Sequence, residues 1–362
     1  MIDTMEIYYQ FKTKKDFYLA VNQLNTATKK YSNKKIHCER KDKNVFVTYV
    51  FAEFGFEEIK MRNNGKGFFA IEIKLRPKLL VDAQNYINVL YNNEIEAVRL
   101  NFNSVFENVI KINAPDYFKW KVKRIDYAID ISVKQNLMPY YMQLFSMGNI
   151  PEYALKNSTT REYIRSNNNC YIRCKGYTVN FYDRYTTLLD KQRNSSKFCK
   201  NIESAKNIMR FEIQIKVDTY KLKSKEIIKE NSVAEFMNSK LCKHYIRYHF
   251  NTIIGAGNYY SLEKAKALLI KKSKTFSLSF QLIKILELIN TKGSTYKAKK
   301  AYLKSQSDSK KAAKNFSNHI NDLRHMGINQ VTLPSDFKES LRRDNLDGLK
   351  TNIEASFESS IF

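Results

Sequence analysis

Residues 208–217 read IMRFEIQIKV, and their alternation decides the fold class. Met209, Phe211, Ile213 and Ile215 take one parity; Arg210, Glu212, Gln214 and Lys216 take the other. Successive side chains of a strand point to opposite faces, so this segment has one apolar face and one charged face. Working outward, FFAIEIKLR (68–76) repeats the pattern, with Phe69, Ile71, Ile73 and Leu75 against Glu72, Lys74 and Arg76, and Pro77 ends it. KVKRIDYAIDI (121–131) and the β-branched, aromatic NVFVTYVF (44–51) are further strands. CYIRCKGYTVNFYDR (170–184) is a hairpin turning at Lys175-Gly176, and NNGKG (63–67) is a turn. A helical stretch is expected around 81–91. Strands with one apolar and one charged face are satisfied by an antiparallel sheet with helices over its apolar side, an α+β fold.

From about Ser224 the periodicity becomes helical. LEKAKALLI (262–270) and FQLIKILELI (280–289) carry it, and residues 291–328 are basic, helix-turn-helix in rhythm, and end at Gly327. KKSK (271–274) and TKGS (291–294) are candidate linkers. The expected organisation is a sheet domain (1–223), a helical connection (224–274), a basic helical DNA-binding region (275–335) and a loose tail (336–362).

Lys and Arg outnumber Asp and Glu by 62 to 36, a net charge of +26. Such a surplus repels itself in a compact chain, which points to a polyanionic partner. The cations are interspersed with 24 Tyr and 23 Phe, whose rings can stack on unpaired bases. No apolar run of ~18 residues is present to span a bilayer, and MIDTMEIYYQ has no signal-peptide pattern. Five Cys without a CxxC pair read as reduced thiols of a cytoplasmic protein. The five His include no His-x-His, so a histidine-built metal site is not expected.

Three motifs carry chemistry. In RIDYAID (124–130), Asp126 and Asp130 share a strand face and can hold a divalent cation between them or with a third oxygen ligand; the same pair also reads as a solvated strand face. In RFEIQIK (210–216), Glu212 lies on the polar face and can complete that site. In VNFYDR (179–184), Asn180, Tyr182 and Arg184 share the polar face, so Tyr182 is expected to be exposed beside a cation. A phenol with a pKa of ~10 is a poor nucleophile at neutral pH. Attack on DNA therefore needs a polarised phosphate and nearby cations.

The order RID-x-AID, then a hairpin ending in Tyr-Asp-basic, then RFE-x-x-x-K resembles the replication-initiation endonucleases of filamentous phages, and is similar to initiators of some rolling-circle plasmids of Gram-positive bacteria. FFAIEIKLRPKLL and FSNHINDLRHMGI add to the resemblance, which spans about 68–328. It implies a rolling-circle initiator, a DNA strand-nicking and rejoining endonuclease. Tyr182 would form a 5′-phosphotyrosyl link and leave a 3′-OH for a host polymerase, with a host helicase. Asp126, Asp130 and Glu212 would hold Mg²⁺ or Mn²⁺. Origin DNA, single-stranded or supercoiled, would meet Arg124, Lys175, Arg184, Arg210 and Lys216 on the sheet and Lys297, Lys299 and Lys300 in the C-terminal helices. Asp183-Arg184 departs from that family, which often has glycine or lysine there. Two other readings stand beside this one: a non-catalytic sequence-specific DNA-binding protein, and a mobilisation relaxase with the same chemistry.

Overall fold

The computed structural model describes residues 1–31, 45–150, 169–194, 201–217, 228–337 and 345–358. Eight antiparallel strands form the central sheet: β1 (Ile2–Gln10), β2 (Val45–Thr48), β3 (Phe56–Asn63), β4 (Phe69–Leu75), β5 (Lys121–Ser132), β6 (Asn169–Arg173), β7 (Tyr177–Asp183) and β8 (Ile208–Lys216). Their order is β2-β3-β4-β1-β5-β8-β7-β6, so β5, β8 and β7 lie side by side and β1 stands between β4 and β5. The β6–β7 hairpin turns at Gly176, whose φ of 93° lies in the region that favours glycine.

Helices cover the apolar face. Helix α1 (Met138–Ser146) brings Phe145 to 4.5 Å from Phe181, between ring centroids. Helix α2 (Ser239–Ile253) buries Leu241, Tyr245, Ile246, Phe250 and Ile253, the spacing of one helical face. Tyr245 stacks on Tyr127 of β5, and Phe250 meets Phe211 of β8. Fully burying each such side chain contributes roughly 1.5–3 kcal/mol.

Residues 82–90, expected to be helical, are not. A short helix, Pro77–Val81, stops at Asp82, and Gln84 has a φ of 69°. Asn85 Oδ1 accepts from the amides of Ile87 (3.2 Å) and Asn88 (3.0 Å), a local turn that competes with helical bonding.

The C-terminal boundaries also differ from the expectation. Helices α3 (Leu262–Lys272), α4 (Phe276–Lys292), α5 (Thr295–Lys304) and α6 (Ser309–His325) share a second core built from Leu269, Leu282, Leu286, Ala298, Phe316 and Leu323. Ser261, Thr275, Ser294 and Asp308 cap their N-termini through side-chain oxygens. KKSK and TKGS are therefore tight turns between packed helices and not linkers. The stretch 224–274 is no unit: α2 belongs to the sheet core and α3 to the helical one. The described part of the tail, 345–358, is not loose either; 338–344 and 359–362 lie outside the described residues. Helix α7 (Lys350–Glu358) returns to β5, where Ser356 Oγ donates to Asp130 O (2.7 Å) and Ile353 and Phe357 are buried. Among the described residues, no helix is long and apolar enough to cross a membrane.

Candidate active site on the polar face of the sheet

Register brings the three motifs together. Across β7, β8 and β5, Tyr182 lies opposite Arg210 and Arg210 opposite Asp130. One step along, Asn180 lies opposite Glu212 and Glu212 opposite Ala128. Asp126 pairs with Gln214 on one side and Thr4 on the other.

Tyr182 is on the polar face, but it is not exposed: its relative exposure is 5%. Its hydroxyl donates to Glu212 Oε2 (3.0 Å) and accepts from Arg184 Nη1 (3.5 Å). Glu212 Oε1 accepts from Gln214 (2.8 Å). Burial, and next the Glu212 charge, raise the phenol well above its ordinary range, against the pull of Arg184 and Arg210. Arg184 and Glu212 are both buried, and among the described ion pairs neither has an oppositely charged partner; the phenol joins them. Burial, with Arg210 close by, lowers the Arg184 guanidinium below its ordinary value. A buried guanidinium without a carboxylate is uncommon and costly.

The cover is the 82–90 segment. Arg184 donates to the carbonyls of Ile87 (3.3 Å) and Tyr86, and Arg210 also donates to Ile87 O. Ile87 packs on Leu188 and Ala205, and the Tyr86 ring lies 5.6 Å from the Arg76 guanidinium.

The other charges are paired. Arg210, fully buried, forks onto Asp130 (2.7 and 2.8 Å) and reaches Asp3 Oδ1 (2.7 Å). Burial alone would raise the Asp3 carboxyl, but Arg76, Arg210 and Arg184 hold it well below the usual range. Arg124 forks onto Asp126 (2.8 and 2.5 Å) and meets Glu6 (3.0 Å). With Asp126 and Asp130 each turned to an arginine fork and Glu212 to the phenol, the three carboxylates do not converge. Among the described residues no group of three or more His, Cys, Asp or Glu could hold a metal ion. The carboxylates expected to bind Mg²⁺ or Mn²⁺ do not fit a divalent cation in this arrangement.

The expected DNA contacts divide into three places. Arg184 and Arg210 adjoin Tyr182. Lys175, Lys216 and Arg124 lie at the other end of the sheet face: Arg124 of β5 is opposite Lys216, and the Lys216 amide donates to Gly176 O (2.8 Å). Lys297, Lys299 and Lys300 lie on α5, in the second core's helices. Asp183, the departure from the family pattern, caps the helix Arg184–Asn194: its Oδ1 accepts from the amides of Tyr185 (3.0 Å) and Thr186 (3.3 Å). Of the neighbouring tyrosines, Tyr185 turns away to Glu203 (3.0 Å), and Tyr177 packs on His249, 4.5 Å between centroids.

Sequence reasoning missed Asp3, Arg76 as part of the cluster, and the 82–90 cover. An acid directly after the apolar Met1-Ile2 start was the available signal for Asp3. No local pattern announces that two backbone carbonyls will cap two arginines.

Compared with protein-family models, with characterised proteins and with solved structures, the chain matches none.

Proposed function

We propose that this protein binds DNA and nicks one strand through Tyr182, as a rolling-circle replication initiator does. The observation that supports the reading is the chain Glu212–Tyr182–Arg184: a carboxylate that accepts the phenolic proton, a nucleophile, and a cation beside the oxygen that becomes charged. In the step, Tyr182 Oη attacks a backbone phosphorus while its proton passes to Glu212 Oε2. The bond from phosphorus to the 3′ oxygen breaks, and that oxygen takes a proton from solvent. The products are a 5′-phosphotyrosyl adduct and a free 3′-OH; one phosphoester replaces another, so the step reverses for rejoining. Glu212 thus acts as a base in this reading and not as a metal ligand. Substrate has to displace the 82–90 cover, exchanging the Tyr86 and Ile87 carbonyls on Arg184 and Arg210 for phosphate oxygens.

One observation favours a second reading, a non-catalytic DNA-binding protein: the Asp126–Arg124 and Asp130–Arg210 forks tie the polar face into a buried structural network. The test is incubation with labelled single-stranded and supercoiled DNA carrying the sequence around its own gene. A denaturing gel and peptide mapping then follow. The nickase reading expects an adduct at Tyr182 that is absent in Tyr182→Phe. Salt-dependent binding with no adduct under any metal selects the second reading, and an adduct at another tyrosine refutes the assignment.

A further inference from the structure

At the α3–α4 turn the molecule displays large apolar side chains in water. Phe276 is 81% exposed and Phe280 50%, and Ile270 on the preceding helix is 62% exposed. Phe276, Phe280 and Lys284 recur every four residues, so they form one stripe on the outer face of α4. The opposite face of the same helix, with Leu282, Ile285, Leu286 and Ile289, is already buried in the second core. The stripe therefore has no structural task within the helical unit.

Its electrostatic setting is one-sided. Between Glu263 and Glu287 there is no acidic residue, while Lys264, Lys266, Lys271, Lys272, Lys274 and Lys284 lie in that interval. Lys266 pairs with Glu287 at 2.5 Å and Lys272 donates to Met326 O (2.8 Å). Lys284 Nζ stands 4.3 Å from the centre of the Phe280 ring. A ring that enters lipid would draw that ammonium towards hydrocarbon, at high cost. A ring that stacks on a base would hold the ammonium beside the strand's phosphates.

We propose that Phe276, Phe280 and Lys284 form a stacking platform for unpaired bases of a single nucleic-acid strand, with the neighbouring lysines along its backbone. Rings that offer a π-face beside cations bind single strands with little sequence preference. The platform rests only on the nucleic-acid-binding half of the function proposed above. It does not involve Tyr182, and it lies outside the basic stretch that begins at Thr291.

The test uses the full-length protein and fluorescence anisotropy with a labelled oligothymidylate and with a duplex of equal length, at several salt concentrations. Phe276→Leu and Phe280→Leu should each weaken oligothymidylate binding on the order of tenfold. Phe276→Tyr and Phe280→Tyr should retain it, because a phenol ring stacks and a leucine does not. None of the four should change duplex affinity or the salt slope, since no charge is removed, whereas Lys284→Gln should lower the single-strand slope by about 0.7. Both rings are exposed, so the thermal midpoint should stay in place. Oligothymidylate binding unaltered in the leucine variants overturns the proposal and leaves DNA binding standing. The same holds if those variants lose only self-association, or only co-sedimentation with phosphatidylserine vesicles. A wild-type protein that binds neither oligonucleotide overturns the proposal together with the reading it rests on.

Discussion

The polar face around Tyr182 and the outer surface of the C-terminal helices use the same kinds of residue to opposite effect. On the sheet, Arg210 and Arg184 are sealed from water and held to stated atoms: Asp3, Asp130, the Tyr182 phenol and two carbonyls. On the helices, Lys297 and Lys300 are exposed, and Phe276 and Phe280 stand in solvent. Buried charge has to be answered atom by atom, because an unanswered ion in a poorly polarisable interior costs several kcal/mol. Exposed charge is answered by water and salt, so it acts through its sum. The sheet face is therefore held to one geometry, whereas the helical surface carries charge that acts through its sum.

The largest expected effect is at Glu212. Glu212→Gln keeps an acceptor for the Tyr182 hydroxyl but is too weak a base to take its proton. Adduct formation should vanish while DNA binding stays at the wild-type level. An undiminished adduct yield would remove Glu212 from the chemistry. Tyr182→Phe is not innocuous to the fold, as an exposed phenol would be, because it leaves one buried Glu212 oxygen without its donor, at a cost of ~1–3 kcal/mol.

Arg210→Ala removes the guanidinium from half-buried Asp130 and, among the described ion pairs, leaves buried Asp3 only Arg76, at 3.9 Å; it should destabilise by about 3–5 kcal/mol in denaturant unfolding. A harmless change there would break the contrast, because the forked pairs would then be no more than surface pairs. Ile353→Ala on α7 should cost roughly 2–5 kcal/mol if the C-terminal segment completes the sheet core. A cost near zero would restore the expectation of a loose tail.

His249, on α2 and packed against Tyr177 of β7, tests burial by pH. Burial, and then the charge of nearby His244, lower its pKa from 6.5 to about 4. In this interval the unfolded chain binds a proton that the native state refuses, so stability rises with pH. This contribution is complete above about 6.5 and is lost on acidification towards about 4. His249→Leu should flatten that part of the stability profile, and an unchanged profile would show that the imidazole is not desolvated. The smallest effect on the fold is expected for Lys297→Gln and Lys299→Gln combined. Thermal stability should hold, and the salt slope of duplex binding should fall by up to about 1.8. Destabilisation by this double change would show that these two positions, too, are held by specific charge contacts.

Much of this was legible in the chain. Strict alternation in 208–217 and 68–76 forces one apolar and one charged face whatever the surroundings, because the side-chain period of a strand is two. That is why β4, β5, β7 and β8 and the common face of Asp126, Asp130, Tyr182 and Glu212 could be read directly. Ser261, Thr275, Ser294 and Asp308 cap four helices through local chemistry, a signal that the periodicity reading left unused.

Only the tertiary structure decided what those side chains meet. Alternation says which face Tyr182 takes, but not that 82–90 will lie across it, since that contact joins residues nearly a hundred positions apart. Nor does it say that Asp130 will turn to Arg210 and Asp126 to Arg124 and not to one another. Strand order and the cost of burying charge select those partners, and neither is written in any single segment. The return of α7 to β5 has the same origin: Ile353 and Phe357 find their apolar surface at the far end of the chain.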